Sequence, residues 1–184
     1  MDYSSVSTGD SNDIDDICAD NRIILGYSVY NDQKTRITPF AGIAYRFLQD
    51  DSKYQRTTTN HLGYLRESNY FYSPVGVKIR FEYAGGWSLT PEAEYDIFWF
   101  GQQESELGYL PNREDLTNDQ EKGYGYRLSL TLARNTLPVG YSFQVFYRYW
   151  DIDTSDVSSD RFGNFGFEPA NETSEYGLNV SVLF

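Results

Sequence analysis

Val75-Gly76-Val77-Lys78-Ile79-Arg80-Phe81-Glu82-Tyr83 runs through Ala84-Gly85-Gly86 into Trp87-Ser88-Leu89-Thr90-Pro91-Glu92-Ala93-Glu94-Tyr95-Asp96-Ile97. In both arms every odd-numbered residue is apolar, and the even-numbered ones are charged, hydroxylated or glycine. A period of two is the mark of a β-strand, whose successive side chains point to opposite sides. The glycine pair between the arms marks a tight reversal. The stretch therefore predicts an antiparallel hairpin with one uncharged face and one ionic face.

The same alternation recurs along the chain. It predicts strands over 22–31, 36–48, 70–83, 87–101, 123–134, 140–151 and 175–184, all within one domain spanning 1–184. The connections alternate in length. Residues 32–35, 84–86 and 135–139 are short turns, whereas 49–69, 102–122 and 152–174 are long and rich in Asp, Asn, Ser and Thr; 1–21 has the same composition and is expected to be an outer loop. Tight turns at one rim and long loops at the other are the pattern of an up-and-down transmembrane β-barrel. Single-chain bacterial barrels carry an even number of strands. Seven visible strands of a probable eight place the first strand ahead of Met1, with Met1–Tyr3 as its last residues, and leave a gap between 22–31 and 175–184. A ten-strand parent is the next even count.

Which face is enclosed follows from position along the strands. With the long loops outermost, Tyr45, Phe47, Phe71, Trp99, Tyr124, Tyr126, Tyr149 and Tyr176 fall near the outer rim. Phe81, Tyr83, Trp87, Phe143 and Phe184 fall near the inner one, with Leu25, Ile43, Val77, Ala93, Leu128, Val145 and Val180 between. Two aromatic belts flanking an aliphatic band match the two lipid interfaces and the hydrocarbon. The uncharged face is then expected to meet outer-membrane lipid. The other face would enclose Arg46, Lys78, Arg80, Glu82, Glu92, Glu94, Asp96, Arg127 and Arg148. Across the 84–86 turn Lys78 faces Glu92 and Arg80 faces Thr90, with Arg46, Arg127 and Arg148 supplying cations to Glu82, Glu94 and Asp96. Buried charges need partners, so this cluster is expected to be a structural plug.

Composition narrows the function classes. The chain has 15 Lys plus Arg against 27 Asp plus Glu, a net charge of −12, which argues against a nucleic-acid partner. Its 17 Tyr and 12 Phe suit strands and bilayer interfaces. No run reaches the length of a spanning helix, and no basic or apolar leader is visible at Met1. The lone Cys18 is read as a bystander thiol.

The chain ends Tyr176-Gly177-Leu178-Asn179-Val180-Ser181-Val182-Leu183-Phe184, apolar at every second residue back from the end. This ending resembles the C-terminal assembly signal of bacterial outer-membrane barrels, carried here by Tyr176, Leu178, Val180, Val182 and Phe184. Together with Thr38-Pro39-Phe40-Ala41-Gly42-Ile43-Ala44-Tyr45-Arg46-Phe47 and Gly123-Tyr124-Gly125-Tyr126-Arg127, it makes the chain similar to the small outer-membrane β-barrel superfamily of Gram-negative bacteria. The resemblance implies that fold, that location and recognition by the barrel-assembly machinery; it implies no active site. The missing first strand departs from the pattern, as do Pro74 and Pro91 within strands, where each removes a ladder donor and is expected to mark a bulge.

Chemistry-bearing motifs are sparse. The only histidine, His61, sits in a long loop without the Ser two residues on that barrel deacylases resemble, so an enzyme is not expected. No cofactor fingerprint or metal spacing is present, and the acidic runs Asp10–Asp20 and Asp151–Asp160 read as solvated loops. The leading expectation is a monomeric structural or surface-interaction barrel whose outer loops meet an extracellular partner. The alternatives are a narrow, porin-like pore for small solutes and a soluble lipocalin-like barrel with a greasy cavity.

Overall fold

The computed structural model describes residues 3–5, 9–11, 15–136 and 138–183. Among them, seven long strands form one antiparallel sheet: β1 (Asp15–Gly26), β2 (Thr35–Asp51), β3 (Leu65–Glu82), β4 (Trp87–Glu106), β5 (Gly123–Arg134), β6 (Gly140–Ile152) and β7 (Asn171–Leu183). Each pairs with its sequence neighbours, so the sheet is a simple up-and-down meander ordered β7-β6-β5-β4-β3-β2-β1. No pairing joins β1 to β7, and the expected gap lies there. Tyr3–Ser5 pairs instead with Gly9–Ser11 as a small separate hairpin, so Tyr3 does not end a strand of the main sheet. No helix among the described residues is long and apolar enough to cross a membrane, which bears on helical spans alone.

The turns form where the sequence supplies turn chemistry. Between β1 and β2 the Asp32 carboxylate accepts the backbone N–H groups of Lys34 and Thr35, both at 2.7 Å, an Asx turn. Between β3 and β4, Gly85 and Gly86 both take φ of 76°, a left-handed conformation open chiefly to glycine.

At the other rim the strands run further than the alternation suggested. β4 has 20 residues, about 65 Å of extended chain at the usual rise, and its far half pairs with a returning strand, Leu116–Gln120. Segments 49–69, 102–122 and 152–174 are thus partly strand, not open loop. So is 15–21, the end of the segment read as an outer loop, which belongs to β1.

The β3–β4 ladder carries a bulge. Phe71 faces Phe100 while Tyr72 faces Phe98, leaving Trp99 unpaired. Burial along β4 follows the even residues through Phe98 and the odd ones from Gly101, so every side chain beyond the bulge changes face. The prolines do not mark it. At Pro74 and Pro91 the ladders lose rungs, but the register on either side is unchanged.

Ion pairs show which way the sheet curls. Arg148 on β6 binds Asp20 on β1, and Arg46 on β2 binds Glu175 on β7. These strands are five apart in the sheet, so their ionic faces meet only if that face is concave. The curled sheet is therefore part of a barrel, with the charged stripe inside and the uncharged stripe on the convex surface.

Glycines on the concave face sit opposite bulky side chains. Phe40 lies across from Gly76, Tyr70 from Gly101, Trp150 from Gly125 and Phe146 from Gly177. A β-carbon on Gly76 would stand 2.4 Å from the Phe40 ring and 2.5 Å from the Ala93 carbonyl oxygen. Each ring lies down over the bare backbone of its neighbour strand, the arrangement known as aromatic rescue of glycine. Gly76→Val should lower stability by about 1–3 kcal/mol through overpacking. Urea unfolding of the refolded protein, followed by tryptophan fluorescence, measures this, and an unchanged midpoint would contradict the packing described.

Candidate functional site: the concave ion cluster and the loop rim

Strand alternation places the ionic residues of six strands at similar height on the concave face. Four guanidinium groups, Arg22, Arg46, Arg127 and Arg148, meet four carboxylates, Asp20, Glu94, Asp96 and Glu175. Arg22 binds Glu94. Arg148 binds Asp20, lies 3.7 Å from Asp96 and donates to the Tyr72 hydroxyl at 2.7 Å; that hydroxyl donates in turn to Asp20 at 2.8 Å. Arg127 stands opposite Glu94 in the β4–β5 register and stacks over the Phe146 ring at 4.5 Å. Arg46 and Arg148 both lie over Trp150, at 5.8 and 5.0 Å.

These groups are withdrawn from solvent: Arg46 is 2% exposed, Arg148 and Glu94 4%, and Asp96 fully buried. Charges so placed are tolerable because each sign is matched by the other. The arrangement fills the concavity with side chains.

Nearer the turns, Lys78 pairs with Glu92 at 3.2 Å and lies over Phe40 at 5.1 Å. The Lys78–Glu92 match and the Arg148–Asp96 contact are as the alternation predicted. Two details differ. Arg80 stands opposite Thr90 in the unshifted register, as expected, but its guanidinium binds Glu82 within its own strand. Glu82 accordingly serves Arg80 at the turn rim, remote from the guanidinium cluster. Arg46 turns to Glu175, not to Glu82, Glu94 or Asp96.

Sequence reading missed Asp20, Arg22, Tyr72, Trp150 and Glu175. Parity held the signal: each falls on the even or odd register of a named concave neighbour. Asp20 was lost because β1 begins at Asp15, seven residues before the expected start, whereas Arg22 lies within the expected strand, on the same parity as Gly26.

On the convex face lie Leu25 at 80% exposure, Leu178 at 68% and Val180 at 73%, with Ile23, Ile43, Leu128 and Val182 more than half exposed. Toward the long-loop side, rings touch from strand to strand. Tyr45, Phe71 and Phe100 form one run at 5.0 and 4.7 Å. Tyr124, Tyr149, Tyr126, Tyr147 and Tyr176 form another at 5.0–6.2 Å. Phe100 joins the first run because the bulge turns it outward. Of the proposed assembly signal, Tyr176, Leu178, Val180 and Val182 lie on this face, and Phe184 lies outside the described residues.

The loop rim is cross-linked. Arg66 on β3 reaches Asp50 at 3.1 Å and Glu168 at 3.0 Å, and Gln103 also donates to Glu168. The Asn118 amide donates to the carbonyls of Asp156 and Gly166, both at 3.1 Å, and to the Ser158 hydroxyl at 3.0 Å. Burial pushes the Glu168 carboxyl above the usual carboxylate range, against the pull of Arg66 and Gln103. The acidic run Asp151–Asp160, read as solvated loop, thus ends in a built turn. Asp160 accepts the N–H groups of Phe162 and Asn164, both at 2.9 Å, and the Asn164 amide at 2.7 Å. The Asp10–Asp20 run likewise enters β1 at Asp15. His61 is exposed, its Nδ1 2.8 Å from the Thr59 hydroxyl, and Cys18 is a free, exposed thiol.

No family model and no curated protein sequence matches this chain.

Arg148→Met strands Asp20 and Asp96 without their cation and should cost about 3–5 kcal/mol. Adding Asp20→Asn should recover part of that loss, and a double-mutant cycle by urea unfolding gives the coupling. Additive losses would show that the pair does not act as one unit.

Desolvation works to raise the Asp160 carboxyl, but hydrogen bonds from the Asn164 side chain and from the N–H groups of Asn164, Glu114 and Phe162 outweigh it and hold the group below its ordinary value. A depressed carboxylate stabilises its turn above the unfolded pKa of about 3.9, and the contribution is lost as pH falls through the folded value. Exchange protection of the Phe162 and Asn164 amides should therefore fall on acidification in the native protein. In Asp160→Asn it should be low at neutral pH and insensitive to acid. Equal pH profiles would remove Asp160 from this role.

Proposed function

We propose that this chain is a transmembrane β-barrel of a bacterial outer membrane, anchored by its convex face and serving as a surface-interaction protein through its long-loop rim. The observation that carries the reading is the inversion of the two faces. Aliphatic side chains such as Leu25, Leu178 and Val180 lie outside, while Arg46, Glu94, Asp96 and Arg148 are enclosed. A water-soluble barrel needs the reverse, and a lipocalin-like cavity would need an apolar lining. The runs of touching aromatic rings at one edge of the aliphatic band suit a lipid interface. A spanning strand needs only about 9–11 residues, so the 20 residues of β4 leave a large part of the loop rim above such a bilayer.

The superfamily reading also accounts for the open seam. In a seven-strand meander the first and last strands run parallel to each other. Direct closure would need a parallel pair, whereas one more strand between them is antiparallel to both. Uncovered edges are costly in lipid because backbone groups find no water there, so on this reading both edges of the seam are covered in the membrane. The matched charges within the concavity speak against the narrow-pore alternative, since a plug of paired side chains leaves little aqueous path.

Two neighbouring residues on opposite faces test the reading. Leu128→Arg puts a charge on the convex face near its middle and should cost about 2–4 kcal/mol in lipid vesicles. Ser129→Arg places the same charge on the buried concave side, where it should depend on space and on the ion cluster and not on bilayer thickness. Folding into vesicles of graded acyl-chain length separates them. Equal, thickness-independent losses at both sites would overturn the membrane assignment.

A further inference from the structure

The three hairpins of the loop rim enclose a cavity of about 410 Å³, between residues 50–66, 105–118 and 165–167. Its volume falls within the range of small-ligand sites, toward the lower end. The walls are mainly apolar: Leu62, Leu107, Leu110, Phe165 and Phe167 all line it. Phe165 is 74% and Phe167 55% exposed, so two aromatic faces stand open to whatever enters. Hairpin contacts hold the walls in place. Tyr109 donates its hydroxyl to the Gly63 carbonyl, and Asn118 ties its own hairpin to the Gly166 carbonyl. A β-carbon at Gly166 would stand 2.5 Å from the Leu116 Cδ1 methyl, which would have to move.

The charges lining the cavity are not balanced. Arg66 and Asp50 neutralise one another, with Glu168 as a further acceptor for Arg66. Arg113 is exposed and has no ion pair among the described residues. His61 lines the same cavity, its Nδ1 held by Thr59, which leaves the Nε2 edge of the ring for another partner. Arg113 is thus a guanidinium without a carboxylate partner among the described residues, at the wall of an apolar pocket.

We propose that this cavity binds a small amphipathic anion, with a flat apolar body lodged among the leucines and phenylalanines and a terminal carboxylate or sulfonate on Arg113. Aromatic walls favour a planar body. A guanidinium favours a planar or forked anionic group, through charge-assisted hydrogen bonds. The inference rests on the reading of the loop rim as the interacting surface and is independent of how the barrel is closed.

The test is calorimetric titration of the full chain in detergent micelles with naphthalene-2-sulfonate, and in parallel with its neutral counterpart 2-naphthalenemethanol, subtracting empty micelles. The sulfonate should bind saturably at one site per chain and more tightly than the alcohol. Arg113→Gln, an exposed change that leaves the walls intact, should weaken the sulfonate roughly tenfold and leave the alcohol unmoved. Leu110→Trp, which fills the cavity, should abolish both. Far-ultraviolet circular dichroism and vesicle insertion of each variant confirm folding separately. Sulfonate binding no different from empty micelles, an alcohol that binds equally well, or a titration indifferent to Arg113→Gln would overturn the proposal. A chain that inserts into vesicles yet binds neither probe would overturn it while leaving the membrane reading standing.

Discussion

Everything in this molecule depends on keeping a set of opposite charges together out of water. Isolated, any one of Arg46, Asp96 or Arg148 would be prohibitively costly where it sits. Held as a matched set, they can be enclosed, and enclosing them forces the sheet to curl until strands five apart meet. The curl in turn sends the other face of every strand outward. The exposed aliphatic stripe is therefore the geometric complement of the ion cluster: one period of two, read from its two sides.

The glycines on the concave face belong to the same constraint. A barrel this narrow has little interior volume, and its ionic residues already occupy the middle. Rings such as Phe40 and Trp150 fit only by lying flat across a neighbour strand, which needs bare backbone at Gly76 and Gly125. Trp150 then offers its face to two guanidinium groups, so an aromatic residue serves the cluster without carrying charge. Polar and apolar packing here are interlocked, and the residues that permit it are the smallest ones.

How much of this was legible in sequence follows from the range of each signal. Alternation is local, so the order and faces of the strands could be read from hairpins such as 75–97, as could the Lys78–Glu92 match. Partners across the concavity could not. Arg46 pairs with Glu175 across the open seam, a choice set by curvature that no strand carries alone. The bulge escaped for a different reason: Phe98-Trp99-Phe100 is aromatic throughout, so the change of face leaves no break in hydropathy. Pro74 and Pro91 offered a more obvious mark, yet losing a donor removes a rung without adding a residue, and only an added residue shifts register. Strand ends at the loop rim were missed because out there neither face is apolar. Gln102-Gln103-Glu104-Ser105 is a strand whose inner positions are buried among polar partners, so hydropathy does not alternate.

That last point separates the molecule into two regimes along one continuous sheet. In the lower part, the contrast between faces is extreme, and the solvent outside must accept leucine and valine. In the upper part, strands of the same hairpins are held by hydrogen bonds among Arg66, Gln103, Asn118 and Glu168, and little separates one face from the other. A single solvent would not select both patterns in one β-strand. The transition falls near the touching tyrosines and the bulge at Trp99, where side chains change face and the need for an apolar exterior ends. On the proposed membrane reading, a boundary between two media at that height accounts for the contrast stopping while the strands continue. The same reading puts the ordered, polar, cross-linked rim and its cavity beyond that height, where water would permit it.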